Sequence, residues 1–194
     1  MTPRPSSSLD PRAPLVVDTR ELGRRPGSMR RLRLTVPAPA GLRVGLVGAP
    51  VGAPVELELR LESVMEGVLV SGTARASLAG ECGRCLDPMT ATTEAELLEL
   101  YAYPEAEDGG DDELMHLDGD LLDLEPTVRD AVVLGLPLNP LCAPDCLGLC
   151  PTCGTKLADA GPGHGHETMD PRWAALQGLS ATMSEPRTTE PQER

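Results

Sequence analysis

Residues Val55-Glu-Leu-Glu-Leu-Arg-Leu-Glu-Ser-Val64 alternate apolar and polar side chains almost without a break. Successive side chains of a strand point to opposite faces, so this run predicts a half-buried strand with its charged face in water. Glu66-Gly67 predicts a turn, and Val68 to Ala79 runs back as the hairpin partner. Arg31-Leu-Arg-Leu-Thr-Val36 has the same alternation and predicts another strand, and residues 14–19 can open the fold. The stretch 37–54 is rich in Gly and Pro and reads as loop. Thr90 to Tyr103 predicts a further strand, although Glu94 to Leu100 also fits a helix. Glu125-Pro-Thr-Val-Arg-Asp-Ala-Val-Val-Leu-Gly-Leu136 predicts a helix. Pro126 suits its first turn, Val128, Val132, Val133 and Leu136 share one face, and Pro137 ends it. Consecutive strands with short links imply an antiparallel sheet. The expected class is α+β: an antiparallel sheet able to curl towards a barrel, one main helix and a C-terminal zinc-knuckle segment.

Composition sets the boundaries. Residues 1–12 carry Pro3, Pro5, Ser6, Ser7, Ser8 and Pro11 and read as a disordered start. Residues 104–113 are an acidic, solvated loop, and 181–194 a polar, disordered tail. Between them lies one expected domain, 13–180, β-rich over 13–103, with the helix and the cysteine cluster in 118–180. The net charge of −13 is uneven: residues 94–130 hold 14 acids and one base, while residues 1–40 hold eight Arg and three acids. Arg20, Arg24, Arg25, Arg30, Arg31 and Arg33 are therefore candidates for phosphate contact, a role a merely solvated basic segment would not have. The chain has no Phe, and Tyr101, Tyr103 and Trp173 are its aromatics. Few aromatics argue against a sheet that stacks RNA bases. No apolar run reaches membrane-spanning length and no export signal is visible, so the expected location is cytoplasmic. Cytosolic thiols stay reduced, which makes clustered cysteines metal ligands or redox pairs.

Four cysteines lie at spacings x3, x3 and x2 in Cys142-Ala-Pro-Asp-Cys146-Leu-Gly-Leu-Cys150-Pro-Thr-Cys153-Gly154. The two-residue gap of Cys150-Pro-Thr-Cys153 is that of a zinc knuckle, which lets both thiolates face one ion. Cys142 and Cys146 complete a four-cysteine site in the favoured reading. A second pair, Cys82-Gly-Arg-Cys85, admits two readings. It can face Cys150 and Cys153, which leaves Cys142 and Cys146 to join His164 and His166, or it can pack without an ion. Eight potential ligands make two sites arithmetically possible; one site is favoured. An all-cysteine set is closed and structural, and the deaminase order of His-x-Glu before Pro-Cys-x-x-Cys is absent, so no catalytic residue is assigned. A redox role for Cys82 and Cys85 is the weaker reading, because Leu86-Asp87-Pro88 follows where a thioredoxin-like pair needs a helix. His116 reads as an ordinary surface residue.

Cys82-Gly-Arg-Cys85-Leu-Asp-Pro88, the acidic stretch, Leu136-Pro-Leu-Asn-Pro-Leu-Cys142, Cys146-Leu-Gly-Leu-Cys150-Pro-Thr-Cys153-Gly154 and Asp170-Pro-Arg-Trp173 follow in that order. This order resembles the YceD family of large ribosomal RNA subunit accumulation proteins, over roughly residues 14–180. His164-Gly-His166 stands where many relatives have Cys-x-Cys. The Arg-rich, Lys-poor composition suggests an actinobacterial member. The resemblance implies a non-enzymatic role in ribosome biogenesis, supporting accumulation or processing of large-subunit (23S) ribosomal RNA. The implied partners are a ribosomal RNA precursor or, through the acidic segment, a basic large-subunit ribosomal protein, with no membrane and no small-molecule substrate. The expected cofactor is Zn2+.

Overall fold

The computed structural model describes residues 9–103, 114–166 and Arg172. Residues 1–8 of the expected disordered start, the acidic loop 104–113, Trp173 and the tail 181–194 lie outside the described residues. The chain divides into two compact units, Met1–Gly148 and Leu149–Arg194.

The first unit runs β1 (Val16–Asp18), β2 (Met29–Pro37), β3 (Arg43–Val44), β4 (Val47–Gly48), β5 (Pro54–Ser63), β6 (Gly67–Glu81), β7 (Pro88–Ala102), β8 (Met115–His116), β9 (Leu121–Asp123) and α1 (Glu125–Leu134). The spine is the β6–β7 hairpin, paired in register from Gly67↔Ala102 to Glu81↔Pro88. β5 lies on the other side of β6, with Val55↔Ala76 to Ser63↔Val68, and β2 lies outside β5. The β3–β4 hairpin pairs through β4 with the far end of β6, and β8 adds a short parallel pairing to β7. β1 and β9 form a separate two-stranded antiparallel sheet.

The alternation of the sequence decides which face is inside. Val55, Leu57, Leu59 and Leu61 of β5 are buried while Glu56, Glu58 and Arg60 face solvent. Ala74, Ala76 and Leu78 of β6 and Ala95 and Leu97 of β7 lie on the buried face too. α1 packs against β6 and β7 and contributes Val128 and Val132, both fully buried. Leu122 and Leu124 come from β9 and the residue after it. Tyr101 is the one aromatic buried in this core; its hydroxyl donates to the Asp123 carbonyl at 2.8 Å and also meets the Thr127 hydroxyl. That pairing satisfies a polar group which would otherwise be costly to bury.

Three expectations need correction, and one alternative is decided. The sheet is not a closed barrel: among the described residues β2 pairs with β5 alone, so β2 is an edge. A barrel would need β2 to find a second strand, whereas α1 covers the buried face near β6 and β7. Residues 94–100 are strand, as the reading of Thr90 to Tyr103 has it, and not the helix they also fit, because Ala95 and Leu97 point inward between exposed Glu94, Glu96 and Leu98. That is a two-residue period, and cross-strand packing outweighs helix propensity. The Gly/Pro-rich stretch 37–54 is not all loop but holds β3 and β4. The helix ends at Leu134, with Gly135 as its cap, and so stops before Pro137.

In the second unit, Leu149 and Lys156 form an antiparallel bridge across a tight turn. Among its described residues Cys150 alone is buried. No helix among the described residues is long and apolar enough to cross a membrane.

Leu122→Ala should lower unfolding stability in urea by about 2–5 kcal/mol, the usual cost of emptying a core leucine site. Leu98→Ala, on the outer face at 72% exposure, should stay within about 0.5 kcal/mol. Equal effects would contradict the assigned faces of the sheet.

Candidate metal centres

The β6–β7 hairpin closes through Cys82-Gly-Arg-Cys85-Leu-Asp87. The Cys82 N–H donates to the Asp87 carbonyl at 2.9 Å, and the Leu86 N–H donates to the Cys82 carbonyl at 2.9 Å. Leu86 has φ +60°, the one positive value for a non-glycine among the described residues. Such a conformation costs an L-residue about 1–2 kcal/mol, and here it turns the chain so that both cysteines face the same way. The Arg84 N–H points at the Cys82 sulfur, 3.4 Å away. The segment after α1 is held to this turn by its backbone. The Gly83 N–H donates to the Pro140 carbonyl at 2.7 Å, and the Arg84 guanidinium donates to the Cys146 carbonyl at 2.9 Å. Gly148, at φ +80°, lies against Arg84; a Cβ there would sit 3.2 Å from the Arg84 Cβ.

These contacts bring Cys142 and Cys146 to Cys82 and Cys85. All four sulfurs lie within 4.8 Å of one another. Cys82 and Cys146 are 3.8 Å apart, and Cys85 and Cys142 are 3.6 Å apart. A tetrahedral zinc with metal–sulfur bonds of about 2.3 Å separates its sulfurs by about 3.8 Å. A disulfide would need about 2.05 Å, and all six cysteines are free thiols. Backbone N–H groups of Cys85, Cys142 and Arg84 bring the Cys82 thiol down to about 6. The Asp87 N–H favours the Cys85 thiolate as well, but burial and the neighbouring sulfurs outweigh it and push Cys85 up to about 12. Cys142 is raised too, first by the Cys146 sulfur. One thiolate thus forms easily, and its neighbours resist a second negative charge until a cation arrives.

The second group belongs to the second unit. Cys150, Cys153, His164 and His166 place their ligand atoms within 4.8 Å of one another. The Cys150 N–H donates to the Thr155 carbonyl and the Gly154 N–H to the Cys150 carbonyl, each at 2.8 Å. Gly154, at φ +73°, supplies the left-handed turn. The Cys153 sulfur lies 3.7 Å from His164 Nε2 and 3.2 Å from His166 Nε2. Around a tetrahedral zinc, sulfur and nitrogen ligands stand about 3.6 Å apart. The Cys153 and Thr152 N–H groups lower Cys150 to about 7. The Thr155 hydroxyl and N–H lower Cys153, and the Cys153 sulfur raises His166.

The structure therefore does not bring Cys142, Cys146, Cys150 and Cys153 to one point. It places the first two with Cys82 and Cys85, and the last two with His164 and His166. The alternative, Cys82 and Cys85 opposite Cys150 and Cys153, is not formed either. The physical reason lies in the backbone: bonds from Gly83 and Arg84 draw residues 140–146 to the hairpin turn, and the Leu149–Lys156 bridge folds the knuckle on itself.

The candidate phosphate ligands sit in folded segments. Arg20 pairs with Asp18, Arg30 with Glu21 at 3.0 Å, and Arg33 with Glu58 at 3.4 Å. Arg24 lies 3.9 Å from Asp120 and over the Tyr103 ring, 4.8 Å from its centroid. The exposed Arg25 and Arg31 side chains have no ion pair among the described residues. Exposed pairs hold weakly and yield readily to a competing anion.

An uncharacterised protein of Mycobacterium tuberculosis is 47% identical to this chain over 175 residues, covering 89% of this chain and 84% of its own length. One of Mycobacterium bovis matches to the same extent. An uncharacterised protein of Mycobacterium leprae is 42% identical over 181 residues, covering 92% of this chain and 82% of its own. No solved structure matches the chain. The profile of the family described as "Large ribosomal RNA subunit accumulation protein YceD" matches residues 70–180, which hold the hairpin, the helix and all eight candidate ligands. The chain belongs to the YceD family.

Proposed function

We propose that this protein is a non-enzymatic ribosome-biogenesis factor that supports accumulation or processing of large-subunit (23S) ribosomal RNA, with zinc as a structural staple. The observation that carries the staple is the four-sulfur group at the hairpin turn. Two ligands come from a turn between long strands and two from the segment after the helix, at the spacing of a tetrahedral ion. Four thiolates fill such an ion's coordination, which leaves no position for a substrate and suits support rather than catalysis. The Arg84 guanidinium, bonded at the Cys146 carbonyl, would offset part of the negative charge of a zinc tetrathiolate. The family description supports the link to large-subunit RNA.

A partner would meet a surface organised by that staple. Arg25 and Arg31 are the first candidates for RNA phosphate, because their side chains need not leave an acid to reach it. A second reading, an adaptor for a basic ribosomal protein, draws on the acidic stretch 94–130. A partner that stays bound after RNase treatment would favour it. The redox reading fits less well. Cys82 and Cys85 are buried at 0% and 8% exposure, and a thiol that exchanges must be reachable.

Three outcomes test this account. In the source bacterium, deletion should lower the ratio of 23S to 16S ribosomal RNA, and the wild-type gene should restore it while Cys82→Ser does not; an unchanged ratio would remove the function. Metal analysis of the purified full chain should show Cys82→Ser and Cys142→Ser each losing the same single ion. Full retention in either would dissolve the staple. In RNA binding, Arg25→Glu with Arg31→Glu should flatten the slope of log K against log salt by about 0.7 for each single-strand phosphate that is no longer neutralised. An unaltered slope takes these two residues out of the interface.

A further inference from the structure

We infer that Cys150, Cys153, His164 and His166 form a second, separately loaded zinc site, and that its ion is the core on which residues 149–166 fold. The inference goes beyond the four-cysteine staple and needs neither its presence nor the RNA role. Three observations carry it. The ligand atoms lie within 4.8 Å of one another, with sulfur–nitrogen separations of 3.2 and 3.7 Å. The two cysteines stand on a knuckle whose backbone is already bonded into shape, through Cys150 to Thr155 and Gly154 to Cys150. Finally, little buried apolar surface holds the described part of this segment together. Cys150 is its one buried residue among those described, and the hydrophobic core contains none of its side chains.

That last point decides the energetics. Each residue fixed in a fold loses conformational entropy. A segment that buries so little apolar surface must recover the loss from another source, and a metal ion bound only by the folded form supplies it. Two thiolates and two imidazoles in a tetrahedral set suit zinc. The histidines arrive on Gly161-Pro-Gly-His-Gly-His166, where the His164 N–H bonds to the Gly161 carbonyl and the rings meet edge to face at 4.9 Å.

The two sites should exchange at different rates. At the hairpin turn Cys82 and Cys85 are buried, Cys146 is half-buried and Cys142 alone is exposed. In the second site Cys153, His164 and His166 are all exposed. A chelator can therefore reach the second ion from solvent, and local opening needs no separation of paired strands. Residues 149–166 then take their folded form only when zinc supply is adequate, while the sheet keeps its own ion.

Lys156, the chain's one lysine, sits inside the knuckle, bridged to Leu149. A lysine-specific protease thus reads the state of this segment and nothing else. The experiment uses the full chain, loaded with zinc. Metal analysis should give two zinc per chain. Release to the chromogenic chelator 4-(2-pyridylazo)resorcinol should be biphasic, one ion leaving at once and the other only after thiol modification. Cleavage at Lys156 should be slow in the loaded protein and should speed up as the first ion leaves. With free zinc about 100-fold above the dissociation constant, the open population and the cutting rate should fall about 100-fold. His164→Ala with His166→Ala alters exposed side chains only. It should lose the fast ion, keep the slow one, and leave Lys156 open to the protease even in zinc. A wild type without the fast-leaving zinc, both ions lost together in the histidine variant, or Lys156 protection indifferent to chelator and variant would each overturn the inference. A wild type that showed the fast ion without the slow one would count against the hairpin staple and leave this site standing.

Discussion

Four sulfurs held within 4.8 Å are an electrostatic problem that a divalent cation solves. Without one, the Cys82 thiolate forms easily, and Cys85 and Cys142 are held in their protonated state. With one, all four can ionise, and the two ends of a long stretch of chain are tied together. Residues 82–85 close the β6–β7 hairpin, and residues 142–146 follow α1. The ion would thus fix where the chain goes after the helix, which buried apolar contacts alone leave loosely specified: beyond Leu136 the hydrophobic core takes no further residue among those described.

The sheet supplies what the ion needs. A hairpin paired over fifteen residues on each strand is stiff, and its register delivers Cys82 and Cys85 to one end as a unit. α1 packs Val128 and Val132 against that hairpin and sets the starting point of the return segment. Bonds from Gly83 to Pro140 and from Arg84 to Cys146 complete the approach. A site assembled from elements so distant in sequence reports whether the whole domain is correctly built.

Much of this was legible in the sequence. The alternation of β5 marked its buried face residue by residue, that of β2 marked a strand, and Pro126 with Val128 and Val132 marked the helix. The cysteine spacings marked metal-ligating chemistry. The sorting of the eight ligands was not legible, because it depends on contacts across some sixty residues that no local pattern records. Two clues were present. A two-residue gap gives one half of a tetrahedral set, so Cys82–Cys85 and Cys150–Cys153 each needed a partner pair. His164 and His166 lie eleven and thirteen residues after Cys153, a separation a single loop can close. The arginines show the opposite case: a run that reads as a basic arm is largely neutralised by Asp18, Glu21, Glu58 and Asp120, and of these Glu58 and Asp120 are brought near only by the fold.

The account rests on how the ligands are divided, and zinc-edge X-ray absorption of the full chain reads that division directly. Four sulfurs at one ion and two sulfurs with two nitrogens at another average to three sulfurs and one nitrogen per zinc. The spectrum should fit bonds of about 2.3 Å and about 2.0–2.1 Å in that ratio. Cys82→Ser should shift the average towards equal sulfur and nitrogen, and His164→Ala with His166→Ala should move it to sulfur alone. A pure four-sulfur shell in the wild type at one ion per chain would instead mean a single site, and a sulfur shell at about 2.05 Å without zinc would mean disulfides. Either would contradict the division of the eight ligands into a four-sulfur site and a separate site of two sulfurs and two nitrogens.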